Sequence, residues 1–203
     1  PEGRPTVFEN LPRIMDVRWV MVGRLDINST GLLLFTNDGE FANRLMHPSS
    51  GIEREYAVRV MGTLTPEVQR TLCDGVELDD GPARFESVSE LGGEGFNRWW
   101  QVVVKEGRNR EVRRLFESQN LKVSRLLRTR YGTQKLPREL RTGRWVELDK
   151  PDIDALLGAV ELRPRRGGTG LFGIAKRRVD KLRDNPLPPR PVDAGRQRRS
   201  REA

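Results

Sequence analysis

The chain of 203 residues carries one cysteine and one histidine. Cys73 alone excludes an intrachain disulfide framework and fits a reducing compartment, so a cytoplasmic setting is expected. His47 and Cys73 are too few soft ligands for a zinc site, and no metal is expected. A Ser-His-Asp triad would have to use His47, whose "MHPSS" setting reads as the end of a helix. No apolar run approaches the roughly 18 residues that a membrane span needs. Neither a Walker loop nor a dinucleotide fingerprint occurs, so no nucleotide cofactor is expected. What remains is an enzyme built on carboxylates, or no enzyme.

Charge is abundant and unevenly placed. The net charge is +8. Residues 163–203 hold 13 basic and 4 acidic residues, and residues 105–144 hold 13 and 4 again. The rest of the chain is acidic. Two basic blocks on an acidic body are the footprint expected for a polyanion partner, most often nucleic acid. Charge alone would also fit a solvated helix face and a solubilising tail.

Hydropathy patterning places the elements. "RWVMV" and "GLLLFTN" read as strands on either side of a loop containing Asp26. Asp38 is set to cap the helix "GEFANRLMH". "EREYAVRVMG" alternates as a half-buried strand with Tyr56, Val58 and Val60 on one side. Thr65 and Pro66 start a helix in "TPEVQRTLCDGV". "ARFESVSEL" and "RWWQVVVKEG" read as two strands, Asn109 as the cap of "REVRRLFESQ", "KVSRLLRTRYG" and "RWVELD" as strands, and "PDIDALLGAVEL" as a closing helix. The expected class is α+β, with a mixed, largely antiparallel sheet flanked by helices. Residues 1–162 form the expected domain. Residues 163–203, rich in Arg, Gly and Pro, are expected to be a basic, disordered tail.

Asp26 stands between two apolar strands, where a buried carboxylate needs a cation or several N–H donors. "KEGRNREVRRL" is the richest supply of arginine, whose fork can bond a carboxylate twice. Tyr56 on a neighbouring strand could stack on a flat base. A turn aspartate bonding its own backbone is the competing reading.

"GRLDINSTGLLLFTNDG", "REYAVRVMG", "EGRNREVRRLFES" and "SRLLRTRYG" together resemble, in order, the motifs of pseudouridine synthases, in the branch that contains the small-subunit ribosomal RNA synthase. The resemblance spans about residues 3–160. It implies an RNA pseudouridine synthase needing no cofactor, a monomer, with 23S rRNA as partner and a uridine in a stem-loop as target. By the same resemblance Asp26 is the catalytic aspartate, Tyr56 the active-site tyrosine and Arg113 the basic partner of Asp26. Arg114 is a less favoured alternative, because one helical position turns a side chain by about 100°. Arg24 is expected to help hold the flipped-out state. Arg108, Arg110, Arg114 and Arg128 are expected to contact RNA. Asp26 would either attack C1′ or take a proton from C2′. Members of this branch usually begin with a small S4-type RNA-binding domain, which is expected to be absent from this chain. A non-catalytic rRNA-binding or ribosome-assembly protein on the same fold is the alternative.

Overall fold

The computed structural model of the chain describes residues 6–14, 18–93, 95–162 and, as backbone, Phe172–Arg177. In chain order the elements are β1 (Val20–Val22), β2 (Thr30–Thr36), α1 (Gly39–Met46), β3 (Arg54–Met61), α2 (Pro66–Asp74), β4 (Val76–Leu78), β5 (Gly81–Ala83), β6 (Ser87–Gly92), β7 (Asn97–Val104), α3 (Glu111–Glu117), β8 (Lys122–Tyr131), β9 (Gln134–Lys135), β10 (Trp145–Glu147), α4 (Lys150–Ala159) and β11 (Phe172–Arg177). Two short 3-10 turns, Val7–Asn10 and Pro48–Ser50, complete them. Nine strands form one sheet, with the order β10-β11-β2-β8-β3-β7-β6, β1 pairing with β2 and β9 with β8. All its pairs are antiparallel except β2 with β8. The class is α+β with a mixed, largely antiparallel sheet, as expected from the sequence.

The helices start where their caps stand. Asp38 Oδ1 accepts from the N–H groups of Glu40 and Phe41 at 2.9 and 3.0 Å. Thr65 caps α2 with Pro66 following, and Asp149 caps α4. These side chains satisfy N–H groups that have no partner inside the helix.

Strand β2 carries the apolar run "GLLLF" because both its faces are covered. Leu32 and Leu34 pack with Phe41 and Leu45 of α1 and Leu156 of α4. Leu33 and Phe35 pack with Leu11 and Leu25 on the other side. A larger cluster lies over β3 and β7, where Val58, Val60, Trp100 and Val102 meet Leu72 of α2 and Leu115 and Phe116 of α3. Parallel pairing of β2 with β8 brings Gly31 against Arg128. At Gly31, φ is +110° and a Cβ would lie 2.3 Å from the Arg128 carbonyl oxygen. Glycine is required there on both counts.

The structure departs from the sequence reading in four places. "ARFESVSEL" is not one strand: Ala83 ends β5, and β6 begins at Ser87. The short hairpin β4–β5 has too little periodicity to be read from the sequence. Asn109 does not cap α3; the cap is Arg110, in the left-handed region at φ 50°, with no side-chain capping bond. There the Arg108 N–H donates to Glu111 Oε2 at 3.3 Å, so Glu111 closes its own helix start. Lastly, Phe172–Arg177 pairs antiparallel with both β2 and β10. Those six residues of the expected disordered tail are a sheet strand; the other residues of 163–203 lie outside the described residues.

Candidate active site

A cleft of about 510 Å³ opens beside the β2–β8 junction. Its wall is built by the loop before β2 (Arg24, Asp26, Ser29), by β3 (Arg54, Tyr56), by β8 (Leu126, Arg128, Tyr131) and by the approach to α3 (Arg108, Arg110, Glu111). Asp26 and Tyr56, 30 residues apart in sequence with α1 between them, thus share one cavity. Tyr56 is opposite Arg128 in the register of β3 with β8. Its side chain is 9% exposed, so its ring is held by the core while one edge meets the cleft.

The Asp26 loop is fixed from behind by two buried arginines. Arg113, 6% exposed, donates from one Nη to the Asn28 carbonyl and from the other to the Val123 carbonyl, both at 2.9 Å. It therefore ties the loop directly to β8. Arg128 donates from Nε to the Leu32 carbonyl at 2.9 Å and from Nη1 to the Arg24 carbonyl at 3.4 Å. The turn itself closes through the Ser29 N–H on the Asp26 carbonyl at 2.9 Å. Burial pulls the Arg113 guanidinium below its ordinary value, Arg110 adds to this, and the negative charge of Asp26 opposes it. Asp26 and Arg113 thus feel each other electrostatically, while both Nη atoms of Arg113 are engaged by carbonyls. Arg113 therefore bonds the loop backbone at Asn28, two residues from Asp26, and lies within the field of the Asp26 charge.

Arg113 and Arg114 are separated cleanly by the turn of α3. Arg114 faces away from the Asp26 loop and forks onto Asp80, with Nη1 and Nη2 at 2.7 and 2.8 Å from Oδ1 and Oδ2. Arg108 lines the cleft and reaches the same carboxylate at 3.1 Å. Arg110 and Arg24 line the cleft and are exposed. The cleft therefore gathers Arg24, Arg108, Arg110 and Arg128 around Asp26 and Tyr56, with Arg113 behind the wall and Arg114 outside it.

Three members of the site escaped the sequence reading. Arg54 is 5% exposed and donates to the carbonyls of Ile52 (2.6 Å) and Lys105 and to Tyr131 Oη (2.9 Å). Tyr131 Oη in turn donates to the Leu45 carbonyl at 2.8 Å. The Tyr131 ring takes the guanidinium carbons of Arg54 and Arg128 at 4.8 and 5.2 Å from its centroid. This cation–aromatic stack braces the cleft floor. The third is Glu111, 4% exposed, whose carboxyl is pushed above the ordinary range by burial. A signal for Arg54 existed: it shares strand parity with Tyr56, Val58 and Val60, which puts a charge on an apolar face. Among the described residues no group of His, Cys, Asp or Glu side chains is placed to hold a metal ion. No helix among them is long and apolar enough to cross a membrane.

Comparison with known proteins adds the following. Residues 5–118 match the family model described as RNA pseudouridylate synthase. A protein of Salmonella typhimurium named ribosomal large subunit pseudouridine synthase B is 57% identical over 164 residues, covering 81% of this chain and 56% of its own length. Proteins of the same name from Pseudomonas aeruginosa and Vibrio vulnificus are 60% and 54% identical, covering 81% and 92% of this chain and 43% and 58% of their own lengths. The chain thus spans about half the length of these relatives. A solved structure described as a pseudouridylate synthase superposes with a TM-score of 0.66 at 25% identity, over 75% of this chain and 65% of that one.

Proposed function

The chain belongs to the RNA pseudouridylate synthase family, and from that premise we propose that it isomerises a uridine of 23S rRNA to pseudouridine, with Asp26 as the catalytic carboxylate. The observation that carries this reading is a single cleft holding Asp26 and Tyr56 amid five arginines, with the Asp26 loop tied down by Arg113 and Arg128.

The reaction breaks the N1–C1′ bond, turns the uracil within the pocket, and joins C5 to C1′. The proton leaves C5 and N1 gains one, so nothing is oxidised or reduced. Such chemistry needs a fixed carboxylate, a slot for a flat base and a grip on the RNA backbone. Asp26 supplies the first, either by attack on C1′ or by taking the C2′ proton. Tyr56 supplies the wall on which the base stacks. The target must leave its helical stack to enter a cleft of this size, as in other enzymes that act on a base. Arg24, exposed at the cleft wall, would hold that flipped state, and Arg108 and Arg110 would meet phosphates. Arg128, expected from the sequence to contact RNA, is buried and bonded to the Leu32 and Arg24 carbonyls instead.

The relatives are named for the large ribosomal subunit, which supports its 23S rRNA as substrate. The target uridine lies in a stem-loop, where a splayed base can enter the cleft. The chain acts as a cytoplasmic monomer, its single half-buried cysteine suiting a reducing compartment. The test is incubation with 23S transcripts followed by mapping of pseudouridine. Conversion at one position by the wild-type chain and none by D26N is the expected result. Tight binding with no conversion by the wild-type chain would favour the ribosome-assembly reading instead.

A further inference from the structure

We propose that Asp80 occupies a phosphate site: Arg108 and Arg114 converge on its carboxylate in the free protein and pass to a backbone phosphate of the RNA when substrate binds. This deepens the RNA-modifying function proposed above and rests on it.

Asp80 sits at the turn of the β4–β5 hairpin. Arg114 holds both carboxylate oxygens in a fork, at 2.7 and 2.8 Å. Arg108 adds a third contact, Nη1 to Oδ1 at 3.1 Å. Arg108 is also paired through Nε with Glu106 at 2.8 Å, whereas both Nη groups of Arg114 are held by Asp80. Their side chains are only 20% and 22% exposed, whereas Asp80 is 43% exposed. The cations are therefore set into the protein and the anion is the part that faces solvent. Guanidinium forks bond phosphate with the same planar two-oxygen geometry that they use for carboxylate. A phosphate that displaced the Asp80 carboxylate would take the Arg114 fork and a single contact from Arg108 Nη1.

Continuity with the catalytic cleft gives the site its meaning. Arg108 lines the cavity that contains Asp26 and also touches Asp80. A strand whose flipped nucleotide occupies the cavity would carry a neighbouring phosphate past Arg108. Arg108 stays anchored during such an exchange, because Nη1 also donates to the carbonyls of Asp80 and Gly81 at 3.1 and 3.2 Å and Nη2 to that of Pro82. In the free protein Asp80 holds and neutralises both arginines, and that hold is what the RNA must displace.

The test uses the whole chain and two probes, a twelve-nucleotide oligouridylate and a 23S stem-loop transcript, with Kd measured over a series of salt concentrations. D80N should bind both probes more tightly, by about fivefold, since two surface ion pairs of ordinary strength no longer have to be given up. D79N makes the same charge change one residue away and should give no comparable gain. R114Q in the otherwise wild-type chain should bind more weakly, and its slope of log Kd against log salt should be shallower by about 0.7, the value for one phosphate contact on a single strand. A D80N that binds no tighter, a D79N that gains equally, or an R114Q that keeps the wild-type slope would overturn the inference; R114Q decides the matter even if D80N folds poorly. If these shifts hold on oligouridylate but the wild-type chain makes no pseudouridine in 23S transcripts, the proposed function fails and the phosphate site stands.

Discussion

Arg113→Met removes the tie between the Asp26 loop and β8, and its effects can be worked from two bonds. The guanidinium donates to the carbonyls of Asn28 and Val123, each at 2.9 Å. A charged donor contributes about 1.5–3 kcal/mol per bond. Val123 is buried and its carbonyl would be left without that donor, whereas Asn28 is exposed and water can replace the loss. Methionine also relieves the cost of burying a cation, the cost that depresses the Arg113 guanidinium. The balance is a destabilisation of about 1–2 kcal/mol, or a Tm lower by about 2–8 °C for a chain of this size. Activity should fall much further, because a displacement of about 1 Å in a reacting group costs on the order of 100-fold. Arg113→Lys separates position from charge. Lysine keeps a cation near Asp26 but has a single ammonium and cannot hold both carbonyls in the guanidinium's fork. It should melt within about 1 kcal/mol of wild type in stability yet remain well below it in single-turnover release of tritium from C5-labelled uridine transcripts. Wild-type turnover by R113K would refute the positional argument and leave charge alone as the role of Arg113.

Asp26→Asn should fold, bind a 23S transcript with wild-type Kd and form no pseudouridine, as read by primer-extension mapping; retained turnover would remove Asp26 from the chemistry. Tyr56→Phe keeps the buried ring and should melt close to wild type, whereas Tyr56→Ala empties a core position and should cost about 3–5 kcal/mol in a denaturant titration. Gly31→Ala places a Cβ 2.3 Å from the Arg128 carbonyl oxygen at a φ of +110°, so it should be among the most destabilising single changes in the chain, seen as a large drop in Tm. Glu111 has a folded-state carboxyl raised by burial, with Glu106 adding and the charges of Arg108 and Arg54 opposing. A folded state that binds the proton more strongly loses stability as pH rises from the ordinary carboxylate range through the raised one. Glu111→Gln should therefore melt higher than wild type at pH 8, with the difference vanishing below pH ~4.

How far the sequence could be read depends on the kind of signal each element leaves. β2 was legible as an unbroken apolar run, and α1, α2 and their caps as a period with a polar start, because burial and capping act on neighbours in sequence. Asp26 and Tyr56 were legible only as members of motifs, since no local rule brings a loop and a strand 30 residues apart to one cavity. The arginines mark the limit most clearly. Arg108, Arg110, Arg113, Arg114 and Arg128 fall in one basic block and look alike in composition, yet they have three different environments. Arg113 and Arg128 are buried and hold carbonyls of the Asp26 loop. Arg110 stands exposed at the cleft, and Arg108 and Arg114 are turned onto Asp80. What sorts them is the helical phase of α3 and the presence of the β4–β5 hairpin, whose three-residue strands carry no periodicity of their own. A positive block in a sequence thus fixes the sign of a partner's charge but not which cations meet it. In this fold two of the five arginines that a reader would assign to RNA, Arg113 and Arg128, are spent on backbone carbonyls of the protein's own Asp26 loop, which ties that loop to α3 and β8.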